Sequence, residues 1–230
     1  MHKVKSRKMF FIDGFNLYHA IKRAAHKDIT FINAKWLDLE KLCSFFIDPN
    51  IENLAGIKYF TTISWKESSI IRQRNYLSEL QAHSHFVDII YGKFKQKDRF
   101  CPSCHATSIG HEEKLTDVNI AIYLLECAFQ NSYDEAVIVS ADSDLIPAIK
   151  AVQRNFPNKI ISVLPPFANA ADDLKTNAQK KYKMTQRHLK ESQLPDTDFY
   201  PRPAEWTSTN YQKNPVTGEW EFLAPNSKAQ

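Results

Sequence analysis

The segment Ala136-Val137-Ile138-Val139-Ser140-Ala141-Asp142-Ser143-Asp144-Leu145 joins an apolar run to a polar turn. The first four residues are apolar and three of them are β-branched, which predicts a short buried strand. A helix is predicted to follow from about Ser143 to Asn155. A fully apolar strand that leads directly into a helix is typical of a parallel sheet covered on both faces.

The same alternation extends along most of the chain. Further strands are predicted at residues 8–12, 57–63, 86–91 and 159–164, and further helices at 15–25, 34–46, 68–83 and 116–130. In the helix at 116–130, apolar residues recur at spacings of four, three and four (Val118, Ile122, Leu125, Phe129). Strands that alternate with helices predict a three-layer α/β/α domain with a mainly parallel central sheet.

The composition is that of an ordinary globular protein. The chain has 230 residues, of which 43% are hydrophobic and 24% charged, so intrinsic disorder is excluded as its main state. Its apolar stretches are too short to cross a membrane and no leader segment is evident. We therefore expect a cytoplasmic protein without membrane association.

Two regions depart from the alternation of strands and helices. Residues 94–112 are predicted to form an inserted hairpin that carries a Cys-x-x-Cys motif. Residues 194–230 hold five of the eleven prolines together with several aromatic residues. We predict a domain over residues 1–193, followed by an extended C-terminal strap, residues 194–230, that packs over the domain or a partner.

Acidic side chains follow the predicted strands at the sheet edge where parallel α/β proteins bind ligands. Asp13 follows the first strand, Asp142 and Asp144 follow the strand at 136–139, and Asp117 opens a helix. Each alone is more readily explained as a helix cap or a turn residue. Brought together, they would repel one another unless a divalent cation such as Mg²⁺ or Mn²⁺ neutralised them. The set therefore predicts metal-dependent hydrolysis of a phosphodiester.

Three segments resemble the signatures of one family: Phe11-Ile12-Asp13-Gly14-Phe15-Asn16-Leu17, Glu112-Glu113-Lys114-Leu115-Thr116-Asp117-Val118 and Val139-Ser140-Ala141-Asp142-Ser143-Asp144-Leu145. They are similar to the NYN family of PIN-like nucleases, including its LabA-like branch, and the resemblance extends over most of the chain. It implies a PIN-like α/β/α fold and a metal-dependent ribonuclease site.

The resemblance also implies roles for individual residues. Asp13, Asp117 and Asp142 would face the metal, and Asp144 would be a further ligand of the metal or of water. Asn16 would orient these groups, and Ser140 would bind a water or a phosphate of the substrate. Ala141 stands where relatives often have Gly, and its small side chain still lets a backbone approach.

The inserted hairpin contains candidate zinc ligands. Cys101 and Cys104 have the spacing of one half of a tetrahedral zinc site, and His111 would supply a third ligand. A second pair is missing. The motif is therefore either part of a structural Zn²⁺ site or a reduced thiol pair that ends the hairpin.

Basic residues cluster next to the predicted acidic site. Residues 58–100 contain eight Lys or Arg against four Asp or Glu, although a solvated helix face often has the same pattern. Candidate contacts to the substrate are Lys66, Arg72, Arg74, Lys93, Lys95 and Lys114. Trp65 could stack on an unpaired base, or be an ordinary loop tryptophan. We expect RNA as the partner, without excluding DNA, and a homodimer is a further expectation.

The leading hypothesis is an endoribonuclease that uses Mg²⁺ or Mn²⁺ on single-stranded RNA. Two alternatives stay open: a catalytically idle RNA-binding or regulatory adaptor, and a metal-dependent nucleotide phosphatase. Clustered negative charge disfavours the adaptor, because it repels a polyanion. The sequence contains neither a P-loop nor a Gly-x-Ser-x-Gly motif, which excludes P-loop triphosphatases and serine hydrolases of that type.

Overall fold

The computed structural model of the chain describes residues 4–100, 103, 107–167 and 172–224. Its strands are β1 (Ser6–Asp13), β2 (Glu52–Thr61), β3 (Val87–Tyr91), β4 (Lys93–Phe100), β5 (Thr107–Lys114), β6 (Glu135–Val139), β7 (Ile160–Val163), β8 (Lys180–Lys181), β9 (Tyr211–Lys213) and β10 (Trp220–Phe222). Its α-helices are α1 (Gly14–Lys27), α2 (Leu39–Ser44), α3 (Glu67–His83), α4 (Thr116–Phe129), α5 (Ile146–Asn155), α6 (Asp172–Asn177) and α7 (Gln186–Glu191). A longer 3₁₀ helix occupies Ile29–Trp36, and single 3₁₀ turns occupy Ser143–Leu145, Ala204–Trp206 and Ser208–Asn210.

Six strands form one parallel sheet in the order β3-β2-β1-β6-β7-β8. The chain builds β1, β2 and β3 toward one edge and then crosses to the other side of β1 for β6, β7 and β8. The direction of strand addition thus reverses between β1 and β6, which makes this pair the topological switch point. The predicted α/β fold with a mainly parallel sheet is confirmed.

The central strand β1 supplies both hydrophobic cores. Phe10 and Ile12 face one core, which contains Trp36 and helix α3, while Met9 and Phe11 face the other, which contains α4 and α5. Alternate residues of a strand point to opposite faces, so a strand that is apolar at every position is buried on both sides. This burial fixes the register of the strand and the position of the residue that follows it.

The helix predicted at residues 34–46 is wrong. The chain forms the 3₁₀ helix that ends at Trp36 and then the short helix α2. Between them Leu37 is extended and bridges Gln193, and the Asp38 side chain accepts a hydrogen bond from the Lys41 backbone N–H at 3.0 Å. An aspartate that caps a new helix interrupts the older one, because its own backbone is extended.

Helix α4 is apolar on both of its faces. Three of the apolar residues whose spacing predicted this helix, Val118, Ile122 and Phe129, are exposed. The side buried against the sheet carries Ile120 and Leu124 instead. Hydrophobic spacing locates such a helix but does not select the face that packs.

The predicted insertion is an antiparallel ribbon of β4 and β5, in which Lys93 pairs with Lys114 and Phe100 with Thr107. Cys101 and Cys104, the candidate zinc ligands, lie outside the described residues. His111 lies in β5.

The segment from residue 194 to 224 packs on the domain of the same chain. Trp206 is buried, with ring centroids 6.3 Å from Trp36 and 6.1 Å from Tyr76. The Glu205 carboxylate forms an ion pair with Arg72 at 2.9 Å. The β9–β10 hairpin covers a third, small apolar cluster near Ile29.

A buried ion network lies at the amino-terminal end of the sheet. Lys8 of β1 is 1% exposed, and its Nζ lies 2.7 Å from Glu52 Oε2 and 3.8 Å from Glu135 Oε2. The Nζ also donates to the Phe46 carbonyl oxygen at 2.8 Å and to the Tyr182 hydroxyl at 3.0 Å. Each charge therefore has partners, as burial demands.

In the described ranges, no helix combines the length and the apolar character that crossing a bilayer requires.

Candidate functional site

Asp13 lies at the carboxyl end of the central strand and is 4% exposed. Its Oδ1 accepts a hydrogen bond from the Asn16 backbone N–H at 2.9 Å, so it caps helix α1. Gly14 follows because no larger residue fits. An added Cβ would lie 2.6 Å from the Phe60 carbonyl oxygen and 2.7 Å from the Tyr59 ring. Asn16, which the sequence predicted to orient these groups, contacts Asp13 through its backbone N–H.

Ser140 links the two strands at the switch point. It is fully buried, its Oγ donates to Asp13 Oδ2 at 3.0 Å, and the same Oγ accepts from the Asp142 backbone N–H at 3.1 Å. Asp142 in turn accepts from the Asp144 N–H at 2.9 Å and caps the 3₁₀ turn that begins α5. The sequence suggested Ser140 as a contact to substrate. In the structure its Oγ connects the Asp13 carboxylate to the Asp142 backbone, and its contact to substrate stays a prediction.

The third acidic segment enters at the end of the ribbon. Leu115 has φ 79° and ψ −13°, a left-handed conformation that is costly for a residue with a Cβ. This bend turns the chain from β5 into α4, which begins at Thr116. Asp117 therefore lies in the first turn of α4, at the same edge of the sheet as Asp13.

Glu113 joins this group, although the sequence did not single it out. Its Oε1 accepts hydrogen bonds from Thr62 Oγ1 at 3.0 Å and from the Thr116 hydroxyl. The signal available in the sequence was its position at the end of a strand, immediately before a helix with an aspartate in its first turn. We call Asp13, Glu113, Asp117, Asp142 and Asp144 the carboxylate cluster.

The carboxylate cluster is electrostatically strained. Burial raises the pKa of Asp13 from 3.8 to about 6, against the lowering effect of the hydrogen bonds from Asn16 and Ser140. The charges of Asp117 and Glu113 add to this rise. The pKa of Asp117 is also raised, by burial first and then by the neighbouring carboxylates, among them Asp142. Each of the two carboxyl groups is thus harder to ionise because of its position.

The carboxylate cluster is not a closed metal cage. Over the residues that the structure describes, no three His, Cys, Asp or Glu side chains are arranged to hold a metal ion together. Asp144 is exposed and Asp142 and Asp117 are partly exposed, whereas Asp13 is fixed by burial and two hydrogen bonds. The cluster therefore combines one rigid carboxylate with several that are open to solvent.

The predicted basic residues fall into two groups. Lys66, Arg74, Lys93, Lys95 and Lys114 are exposed, and Lys93 and Lys114 are cross-strand partners at the base of the ribbon, beside Glu113. Arg72 is partly buried and paired with Glu205, and it lines a cavity next to Gly14. Trp65 is 51% exposed, with Lys66 Nζ 5.2 Å from its ring centroid.

Comparison with known proteins gives two relatives of different kinds. The chain is 28% identical over 194 residues to 6-hydroxy-3-succinoylpyridine 3-monooxygenase HspA of Pseudomonas putida; the match covers 69% of this chain and 59% of that protein. A crystal structure of a protein of unknown function from Vibrio parahaemolyticus superposes with a TM-score of 0.55, at 16% identity, over 83% of this chain and 97% of the other. The second likeness shows the fold alone.

The domain that matches a known family includes the strands on both sides of the switch point. Residues 7–185 match the NYN domain, a span that runs from β1 past β8 and contains the whole carboxylate cluster. Proteins with this domain share a nuclease-type fold, and the expected PIN-like architecture agrees with the sheet described above. The chain belongs to the NYN domain family.

Proposed function

We propose that the protein is a metal-dependent endoribonuclease that hydrolyses phosphodiester bonds of single-stranded RNA at the carboxylate cluster. The observation that carries this proposal is the electrostatic strain on Asp13 and Asp117, whose pKa values are raised at the switch point of the sheet. Burial is the main cause of both shifts, the neighbouring carboxylates add to it, and perturbed groups of this kind concentrate at functional sites.

The donor chemistry of the carboxylate cluster fits Mg²⁺ or Mn²⁺, which prefer oxygen ligands. Asp13, Asp117 and Asp142 would hold the ion, with Asp144 as a further ligand. When bound, the ion supplies an activated water and neutralises charge on the phosphate. Asp13, which Ser140 and the Asn16 N–H hold in place, would be the fixed ligand, and the solvent-open carboxylates would supply the others.

The exposed lysines give the chain a way to hold the substrate. Lys93 and Lys114 at the ribbon base bind phosphates on either side of the cleaved one, and Lys66 and Arg74 extend this contact along α3. Contacts of this kind are electrostatic and independent of sequence, so salt should weaken the binding of RNA steeply. Trp65, half exposed and next to Lys66, provides a surface on which an unpaired base stacks.

A second candidate function comes from the named relative. The Pseudomonas putida protein is named as a 3-monooxygenase of 6-hydroxy-3-succinoylpyridine, and the present chain spans 59% of its length. The second candidate function is action on a small aromatic acid. It is favoured by the cavity beside Asp13, which aromatic residues line in part.

The decisive experiment is the cleavage of 5′-labelled single-stranded RNA with Mn²⁺ or Mg²⁺, compared with EDTA. We expect internal cleavage that requires the metal and is lost in Asp142→Asn. Asp198→Asn is the matched control, because Asp198 is exposed in the strap and is not part of the carboxylate cluster. This variant should cleave RNA like the wild type.

Three other outcomes would each contradict the proposal. Cleavage that persists in EDTA or in Asp142→Asn would separate the activity from the cluster. Release of phosphate from mononucleotides without cutting of RNA would identify a phosphatase. Binding of RNA without cleavage under any metal would identify the adaptor.

A further inference from the structure

A cavity of about 270 Å³ lies between α1, β2, α3 and the strap. Several of the residues that line it are aromatic, among them Tyr18, Tyr59, Tyr76, Trp206 and Tyr211, and aliphatic, hydroxyl, amide and charged side chains complete the lining. An apolar cavity of roughly 150 Å³ is already large enough to hold benzene. The present cavity therefore has room for a substituted ring, and its flat walls suit the stacking of a planar one.

Three cations lie around this cavity with a single carboxylate among them. Lys35 and Arg72 line it, Lys22 lies near Lys35, and Glu205 faces them from the strap. Arg72 is already paired with Glu205 at 2.9 Å. The charges of Lys22 and Lys35 are left without a second carboxylate at the cavity, and of these two residues it is Lys35 that lines it.

Lys35 is an unusual lysine. It is partly buried, and its Nζ lies 5.0 Å from the centroid of the Tyr18 ring. Within residues 4–100, 107–167 and 172–224 it has no ion-pair partner. Burial, together with the charges of Lys22 and Arg72, lowers its pKa to about 8. A half-buried cation of this kind is stabilised by an anion that enters beside it.

The cavity shares a wall with the carboxylate cluster. Gly14, which follows Asp13, lines it, and so does Thr62, whose hydroxyl donates to Glu113 at 3.0 Å. The Tyr59 ring packs against Gly14, and the charge of Asp13 contributes to the raised pKa of Tyr59. A ligand in the cavity is thus held next to the cluster.

From these observations we propose that the cavity is a binding site for a planar aromatic ring that carries an anionic group, with Lys35 as the residue that recognises the anion and Tyr18 as a stacking surface. Two sources share this chemistry: a base of a nucleic acid with its phosphate, and a free aromatic acid. The site does not depend on hydrolysis of RNA, so it stands even if the protein cuts nothing.

The test is isothermal titration calorimetry at pH 7 in EDTA, with the full chain. Uridine 5′-monophosphate and 4-hydroxybenzoate represent the two sources, and inorganic phosphate and acetate supply the anion without the ring. We expect at least one aromatic probe to bind at least about tenfold more tightly than its anion alone. The tighter of the two aromatic probes identifies the source.

Two variants connect the binding to the cavity. Lys35→Met should weaken the binding of the aromatic probe about tenfold, since a hydrogen bond to a charged group is lost. Tyr18→Leu should weaken it about threefold to tenfold through the loss of stacking. Lys41→Met, on the exposed side of α2 and outside the cavity, is the control and should leave the affinity unchanged.

The proposal is overturned if neither aromatic probe binds, if the anions without rings bind equally well, or if Lys35→Met retains full affinity while its thermal unfolding matches that of the wild type. Because the titration contains no metal, it is independent of the cleavage assay. Absence of RNA cleavage together with intact binding would remove the proposed nuclease and leave this site in place.

Discussion

Asp13→Asn is expected to make the metal-free protein more stable at neutral pH. The asparagine oxygen retains an acceptor for the Asn16 N–H, which Asp13 Oδ1 now receives at 2.9 Å, so the cap of α1 survives. The substitution removes the buried negative charge, and it also puts an amide N–H in place of Oδ2, so the amide donates to the Ser140 hydroxyl where the carboxylate accepted from it. A carboxylate that weakens the fold is consistent with a residue kept for function.

The magnitude follows from the pKa of Asp13, which burial raises from 3.8 to about 6. The folded protein then binds the proton more tightly than the unfolded chain, so ionised Asp13 destabilises the fold above pH 6. At 1.36 kcal/mol per pKa unit this cost is about 3 kcal/mol, and it disappears as the pH falls toward 4. By the same relation, Asp13 should contribute a gain of about 1.4 kcal/mol in the wild type between pH 7.5 and pH 5.

Urea unfolding followed by circular dichroism in EDTA, at pH 7.5 and pH 5, measures both quantities. Asp13→Asn should unfold at higher urea than the wild type at pH 7.5, by up to about 3 kcal/mol, and should lack the gain at pH 5. Added Mn²⁺ should stabilise the wild type and not the variant. Asp38→Asn is the control, because Asp38 is another buried cap but lies 3.3 Å from His83 rather than among carboxylates.

The reasoning about Asp13 is refuted if Asp13→Asn loses stability to the same extent as Asp38→Asn. Asp13 would then be a structural cap whose charge supports the fold. A gain at pH 5 of equal size in the variant and the wild type would likewise assign the pH dependence to other groups.

Two further substitutions test the packing of the fold away from the carboxylate cluster. Lys8→Met should lower the free energy of unfolding by about 3–5 kcal/mol, because it leaves Glu52 without its cation, although Glu135 keeps its ion pair with Lys180. Lys58→Met, which breaks an exposed ion pair on the adjacent strand, should cost less than about 1 kcal/mol in the same urea titration. Trp206→Ala should cost about 3–5 kcal/mol by thermal unfolding and should make the strap more sensitive to protease, whereas Trp220→Ala, only partly buried, should cost less.

Much of the fold could be predicted because its information is local. The central strands are apolar at nearly every position, such as Phe10–Ile12 and Val137–Val139, and each ends in an aspartate or a serine followed by a helix. Parallel strands place all such ends at one edge of the sheet, so Asp13 and Asp142 could be brought together without knowledge of any side-chain contact.

What could not be predicted depends on partners that are distant in the chain. Ser140 serves as a bridge only because Asp13, 127 residues away, accepts its hydrogen bond. Glu113 joins the cluster through Thr62, and Lys35 borders a cavity that the strap closes. The side of α4 that packs on the sheet could not be predicted either, because a helix that is apolar on both faces has no unique inner face in its sequence.

The position of Trp206 has a consequence for the order in which the molecule is made. Its partner Trp36 precedes it by 170 residues, and all six strands of the sheet are synthesised before it. A nascent chain that has not reached Trp206 therefore contains every residue of the carboxylate cluster, while the neighbouring cavity lacks one wall and Trp36 and Tyr76 lack the ring that covers them. A pause before residue 204 would hold the nascent chain in this state, in which chaperones recognise exposed apolar surface.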